Sequence, residues 1–584
     1  MINDKNLGDF LRKSSVIASE NITLMIGNGG EKLVDWQMHF NRLNIAEMYA
    51  SYQTVINQLM RAEIDEYRRL ELFVAVNKVA ERLIASLHQI YKNQSGILDE
   101  SQQQALDMTI SVHYLGVMFY NSVWQRVVAN PQLAQKKGIG SLLGLGGGKS
   151  ADEIVKQCLY GMMSLLRQAL FEKQIGYRKN TEVIWQWLNA CYHFMLSNHW
   201  ENVAYHLPLF GQSGMANGKP LTMQAVYHQC LFSEVVNPSA CRRPDILMWQ
   251  KMSNDWQKEL IVTSELAEKP YLFINLKSNQ PPQLLHAGVA FNPFSKDSEC
   301  LFISFSKLVN TLQQVIVKSQ HSDDMEDKIQ QRFAKIMLEN IKKQLTTPEK
   351  LGGASGKCQA VVGFYHIHYM LANKTSLGNL IQANELPERL RPRSQPQNQL
   401  NKSTLVDVVE ANFHQYHLTN PMVYNQTVDV QHSLHRSSEM TVLSQLQVGS
   451  MVATRLADDP NKTWQLGYAE TLEQRPKTNQ IFAEGQQKVL DVDVMVRLFG
   501  RGVIPCGVRL QNAGTRPQHF VPALMIPKNT EFNRPVTSIL MARFGYQLDE
   551  KLIMRIDNKE VNIRLTERLN MTDDIEEYAF VRVQ

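Results

Sequence analysis

The sequence predicts a multidomain α+β protein, with a helical N-terminal region followed by one or more C-terminal antiparallel β-barrel modules. Three observations point there. Apolar residues recur at three- and four-residue steps through the first 345 positions. Short strand-like runs between turn residues fill the text after about 427. Between the two, the composition shifts to glycine, proline and asparagine. At 584 residues the chain is too long for one core, since a domain typically takes roughly 100–200 residues. The expected divisions are a flexible tail over 1–30, a helical domain over 31–205 and a second, mainly helical domain over 206–350. A linker and connecting strand over 351–426 and a barrel region over 427–584, of one barrel or two, complete the chain.

The elements follow in order. Residues 1–30 are polar and carry a GNGG stretch. Ile56, Met60, Ile64, Tyr67, Leu70 and Val74 then place one apolar stripe on a helix face, and Leu83, Leu87, Ile90 and Tyr91 continue it. SGILDES at 95–101 interrupts the pattern before a helix carrying Leu106, Ile110, Tyr114, Val117, Trp124 and Val128. GIGSLLGLGGG at 138–148 reads as a flexible connector. Helical periodicity resumes at 151–175, 181–197 and 221–236, with a loop at 207–220. YLFINL, Tyr271–Leu276, reads as a strand. The last long helix spans 326–345, with Ile329, Phe333, Met337 and Ile341 on one face. Asp323, Asp324, Glu326 and Asp327 at its start and Lys342 and Lys343 near its end suit the helix dipole, so the acidic cluster reads as a cap rather than a metal site. LGGASGK reads as a linker, CQAVVGFYHIHYML as β-type, and 376–403 as an exposed or extended segment.

Composition narrows the function classes. Hydrophobic residues at 44% and charged residues at 20% are the proportions of globular protein. A net charge of +5 is too mild to imply a nucleic-acid partner. No apolar run approaches the roughly 18–20 residues of a membrane span, so no integral membrane segment is expected. The polar N-terminus, MINDKNLGDFLRKSS, lacks the apolar stretch of a secretory leader. The seven cysteines are odd in number and include no CxxC pair, which fits a reducing compartment. A cytoplasmic protein is the expectation.

Four motifs bear on chemistry. GLGGGKS at 144–150 misses the phosphate-loop spacing, because Leu143 stands where a glycine is required. His366 and His368 form an HxH pair in an expected strand, and His414 and His417 a second pair. Neither has a third ligand at metal-binding spacing, and both read as core or surface histidines. No nucleophile–base or paired-carboxylate signature emerges, so an enzyme is not expected. Arg389, Arg391 and Arg393 crowd the segment ERLRPRS. Guanidinium forks bind phosphates and stack on flat bases, and two arginines with three residues between them can grip a dinucleotide from both sides. The competing reading is a solvated basic linker.

Particular segments resemble a known family. VGSMVATRL, TWQLGYAETL and CGVRL are similar to strands of PilZ domains, with Gly449, Trp464, Leu466, Gly467 and Gly507 at the characteristic places. MHFNRLNIAEMYASYQ, YRRLELFVAVNKVAERL and YHQCLFSEVVNPSACRRPDI resemble a proteobacterial group that joins a long helical N-terminal region to a PilZ-like C-terminal barrel. The resemblance implies a regulatory protein and cyclic di-GMP as a ligand, with no resident cofactor. Ligand-binding PilZ domains carry RxxxR ahead of the barrel and D/N-x-S-x-x-G on it. Arg389 with Arg393 is the nearest match to the first. HRSSEM, His435–Met440, stands at the second, keeps only Ser437, and replaces the glycine by Met440. The implied nucleotide-binding residues are therefore Arg389, Arg393, Arg436 and Ser437. The alternative is a degenerate barrel that has lost the nucleotide and serves as a scaffold for a protein partner of unknown identity.

Overall fold

The structure is a computed structural model. It describes the chain except residues 14–19, 135–149, 180, 206–214, 217–218, 266–271, 286–290, 296–297, 320–321, 323, 346–348, 394–408, 420–426, 439–445, 457–462, 477–489, 513–515, 517, 531, 533, 572–574 and 584. Only the backbone is described for 215–216, 219, 325, 343–345, 349–354, 409–410, 412–419, 427–438, 475–476, 490–491 and 571. The chain divides into two compact units. One comprises Met1–Gln94 and Leu98–Thr346, the other Ser95–Ile97 and Thr347–Gln584.

The first unit is built on α1 (Asp4–Arg12), α2 (Leu33–Phe40), α3 (Ile45–Arg61), α4 (Glu66–Tyr91), α5 (Glu100–Ala129), α6 (Ala151–Ile175), α7 (Glu182–Ser197), α8 (Met223–Val236), α9 (Arg243–Trp256), α10 (Ser306–Lys318) and α11 (Met325–Leu345). The helical core expected from the periodicity is present, but the stripe from Ile56 to Val74 belongs to two helices. Asp65 ends the run by accepting the Arg68 N–H at 2.8 Å, as an N-cap does. The reversal between α3 and α4 is held by buried charge. Glu66 accepts from Arg69 Nε at 2.9 Å and from Arg126 Nε at 2.8 Å. The remaining guanidinium donors reach Met60 O at 2.8 Å and Ala62 O at 2.7 Å, carbonyls that the end of α3 leaves without helical partners.

The N-terminal segment departs from the expected flexible tail over 1–30. Asn3 caps α1, and Leu7 and Leu11, one turn apart, are buried, as are Leu24 and Ile26. Asp4 accepts from Tyr114 Oη at 2.6 Å and from Lys173 Nζ at 2.7 Å. A nine-residue helix shows too few turns for its period to stand out in the sequence. Beyond α9 a small antiparallel sheet joins β3 (Ile261–Thr263), β6 (Cys300–Ser304), β4 (Leu272–Asn275) and β5 (Gln283–Leu284) in that order. A short hairpin, β1 (Met215–Ala216) and β2 (Lys219–Pro220), precedes it. The expected strand at 271–276 is β4. The glycine-rich stretch 138–148 and Lys149 lie outside the described residues, as does Asp323. At the start of α11, Asp324 Oδ1 accepts the Glu326 N–H at 3.0 Å.

The second unit holds two closed, six-stranded antiparallel barrels. The first runs β10 (Met451–Leu456), β11 (Gln465–Pro476), β12 (Leu490–Arg501), β9 (Thr427–Ser438), β8 (Val409–Thr419) and β7 (Glu349–Val362), closing where Val452 pairs with Val362. The expected linker over 351–426 therefore supplies two barrel strands. LGGASGK lies within β7, where cross-strand backbone hydrogen bonds hold a sequence that has little side chain to contribute. The second barrel runs β13 (Ile504–Leu510), β14 (Val521–Ile526), β15 (Ser538–Ala542), β18 (Ile575–Arg582), β17 (Lys559–Met571) and β16 (Lys551–Ile556). Cys506, Val508, Ala523, Ile539, Met541, Leu552, Met554 and Tyr578 fill it.

The strands alternate faces, so their outward residues join the barrels to each other. Leu524, Ile526, Leu540, Ala542 and Ile575 form one cluster with Val361, Met451, Ala453 and Leu466 of the first barrel. Arg534 seals this junction. Its Nε donates to Phe499 O at 2.9 Å, and its Nη1 donates to Ser538 Oγ at 2.6 Å and pairs with Glu577. Gly467 sits at a register shift between β11 and β12. A Cβ there would stand 2.6 Å from Arg497 O, so the bulge requires glycine.

Candidate functional site

Between β7 and β8 the chain leaves the first barrel and crosses the outside of the second. Helix α12 (Phe364–Leu371) carries His366 and His368, which were expected in a strand. Two residues apart on a helix do not share a face. His366 Nδ1 donates to Val362 O at 3.1 Å, while His368 Nε2 donates to Cys506 O at 3.1 Å. The two rings are therefore engaged by separate carbonyls. His414 and His417 lie on β8, where side chains are outside the described residues.

The segment that follows, 377–393, forms a strap rather than an exposed extended linker. Helix α13 (Leu377–Leu380) and two single turns at Ala383–Glu385 and Glu388–Leu390 lay Leu377, Ile381, Leu386 and Leu390 on Phe520 and Ile553. Gly507 makes the approach possible. A Cβ at that position would meet Ile381 Cγ2 at 2.9 Å and Phe520 Cδ1 at 3.3 Å. Polar contacts fix the strap's path. Arg555 Nε donates to Ile381 O at 2.7 Å and its guanidinium also reaches Glu385 and Glu560, while the Phe520 N–H donates to Leu390 O at 3.1 Å. Arg391 turns inward on its own segment, donating to Leu386 O at 2.9 Å and Asn384 O at 3.2 Å.

That arrangement leaves Arg389 and Arg393, both exposed, on either side of the clip made by Arg391. Two residues of the second barrel meet them. Arg509, one strand step past Gly507 on the same outward face, places its guanidinium 5.5 Å from the centre of the Phe520 ring. Its Nη1 donates to Leu510 O at 3.3 Å, and its Nε is buried without a partner. Burial lowers the Arg509 pKa, Glu560 opposes the shift, and Arg389 adds to it. His519, buried two residues before β14, is pushed down by burial and then by the charge of Arg393. Arg389 thus acts on Arg509, which faces Phe520, and Arg393 acts on His519. The result is a positive face with flat guanidinium planes, the chemistry that takes phosphates and planar bases.

The four residues implied by the resemblance occupy two barrels. Arg389 and Arg393 lie with the second. Arg436 and Ser437 lie on β9 of the first, opposite Val492 and Asp491, with side chains outside the described residues. Met440 is outside them altogether. Arg509 and His519 escaped the sequence reading because more than a hundred residues separate them from the strap. The alternation Gly507-x-Arg509 was the local sign that the arginine shares the glycine's outward face. The PilZ-like segments also divide, with Gly449, Trp464, Leu466 and Gly467 in or beside the first barrel and Gly507 in the second.

Comparison with known proteins settles the kinship. Residues 31–266 match the family described as cyclic-di-GMP receptor FimW, N-terminal domain, and residues 506–583 match the FimW C-terminal beta-barrel domain. The chain belongs to the FimW family. The two FimW matches together span more than half of the 584 residues. The first begins just before α2 and ends past β3. The second covers the second barrel almost strand for strand, from within β13 to the end of β18. The expected kinship with a group joining a helical N-terminal region to a C-terminal barrel is borne out. No curated protein and no solved structure matches the chain. Among the described residues, no helix is long and apolar enough to cross a membrane.

Proposed function

We propose that this protein is a non-catalytic, cytoplasmic regulator that binds cyclic di-GMP on the strap face of the second barrel. The supporting observation is the strap that packs Leu390 on Phe520, with Arg509 facing that ring, Arg389 acting on Arg509 and Arg393 on His519, on the barrel that matches the C-terminal domain of a cyclic-di-GMP receptor family. The ligand carries two phosphates and two guanine faces. Exposed Arg389 and Arg393 take the phosphates, and the guanidinium of Arg509 offers a plane to one guanine and donors to its edge. Arg436 and Ser437 of the first barrel are the remaining members of the proposed site, supplying a phosphate contact and a hydroxyl.

Calorimetric titration of the full chain with cyclic di-GMP tests the reading. Each charge-assisted contact is worth about 1.5–3 kcal/mol, so Arg389→Ala and Arg393→Ala each weaken binding roughly tenfold or more. Arg436→Ala does the same if the first barrel takes part, and an unchanged affinity removes β9 from the site. Absence of heat for the wild-type chain at high micromolar ligand sinks the proposal and leaves the protein-scaffold reading in its place.

A further inference from the structure

Arg69, Arg126, Arg167 and Arg243 are all buried in the helical unit. A guanidinium stays protonated at neutral pH, so each must find negative charge or several carbonyls to offset the loss of water. Arg69 and Arg126 have Glu66 and the carbonyls at the end of α3. Arg243 donates to Ile175 O and Gln94 O and faces the Tyr177 ring.

Arg167 stands apart. It has no exposed surface, and its hydrogen bond runs from Nη1 to the neutral amide oxygen of Gln229. Among the described residues its Nε and Nη2 reach no partner. No carboxylate among the described residues pairs with it, and the groups whose charge it feels are Cys230 and Tyr160. The surroundings add a donor rather than an acceptor. The guanidinium lies 5.8 Å from the centre of the Phe171 ring, which packs edge-on at 5.2 Å against Trp249, whose buried indole N–H also lacks a partner. Gln229 is fixed with its oxygen toward Arg167, because its amide nitrogen donates to Asn254. Side chains of α6, α8 and α9 therefore surround one positive charge with donors to spare, and among the described residues the acids Glu172, Glu234 and Asp245 of these helices form no ion pair with it.

We propose that this interior holds a small inorganic anion, chloride-sized, bound by Nε and Nη2 of Arg167. Water would satisfy the two N–H groups but would leave the charge uncompensated, and a buried uncompensated ion is costly. With no exposed surface at the group, an ion must enter through the packed interior, which favours the smallest. The anion is then a structural ligand tying α6 to α8 and α9, separate from the nucleotide face, and the stability of the helical unit follows its concentration.

Two measurements on the full chain test this. In the first, chloride is exchanged for gluconate at constant ionic strength. Chloride should raise the thermal midpoint saturably, by on the order of 2–4 °C, and Arg167→Met should abolish that dependence. In the second, crystals soaked in bromide should show an anomalous peak within hydrogen-bonding distance of Arg167 Nε and Nη2. The bromide result stands even if Arg167→Met does not fold. A chloride response unchanged by Arg167→Met, or no anomalous peak at Arg167, overturns the proposal.

Discussion

Gly507 and Ile381 stand so close that a Cβ on the glycine would lie 2.9 Å from the isoleucine Cγ2. The contact clamps the strap to the second barrel and sets how far Arg389 and Arg393 stand from Arg509. Gly507→Val adds three carbons where none fit, so the strap must lift. The expected cost is about 1–3 kcal/mol, as for other overpacked sites. Urea unfolding should show that loss, and limited trypsin treatment should cut faster after Arg389, since Pro392 protects the bond after Arg391. Unchanged stability and unchanged cleavage would mean that the strap is held elsewhere.

Arg509→Met should separate binding from stability. The replacement removes a guanidinium whose Nε is buried without a partner, while keeping apolar volume against Phe520. Affinity for cyclic di-GMP is expected to fall roughly tenfold, whereas the unfolding midpoint stays level or rises. Parallel calorimetry and thermal melts check both. A melt that drops with affinity intact would assign Arg509 to the scaffold alone.

Acid should loosen both units through neutral buried histidines. Burial pushes His113 down to about 3, against the pull of Glu172. Burial pushes His368 down to about 4, against its bond to the Cys506 carbonyl. Both folded values lie below the ordinary histidine value of about 6.5. Their contributions are therefore complete above pH ~6.5 and are lost as pH falls toward 4, because the unfolded chain takes up the proton first. The slope approaches about 1.4 kcal/mol per pH unit for each group. Denaturant midpoints measured at pH 7, 6 and 5 should fall accordingly. His368→Gln, if folded, should flatten the slope of the barrel unit by one proton's worth, and an unaltered slope would exclude His368.

The barrel topology predicts the behaviour of fragments. A fragment beginning at 427 lacks β7 and β8, which pair with β10 and β9, and so leaves two open strand edges. It should self-associate, as light scattering would show. A fragment beginning at 347 keeps both barrels closed and should remain dispersed. A monodisperse shorter fragment would show that the first barrel does not need its first two strands.

Much of the helical unit was legible because a face that repeats every three or four residues is a local property. α6 and α7 fall within a residue of their expected limits. The break between α3 and α4 was hidden because Ile64 keeps the apolar phase across it, although Asp65 carried the capping signal. β7 was hidden because its pairing partners are remote and its glycines read as a linker. The strap was hidden because Leu377, Ile381, Leu386 and Leu390 follow neither a strand nor a helix period, and their burial depends on Phe520 and Ile553 far along the chain. Arg389 and Arg393 were visible as a local pair. Arg509 and His519 join them only through tertiary folding.

The first barrel's closure has a consequence in time. β7 is complete at Val362, but the strand that closes the barrel against it begins at Met451. About 90 residues must be synthesised between the two events, the strap among them. At roughly 5–20 residues per second, one edge of β7 waits on the order of ten seconds for its partner. During that interval its glycines protect the chain, since a strand with little side chain offers a passing neighbour hydrogen bonds but little apolar surface to hold it.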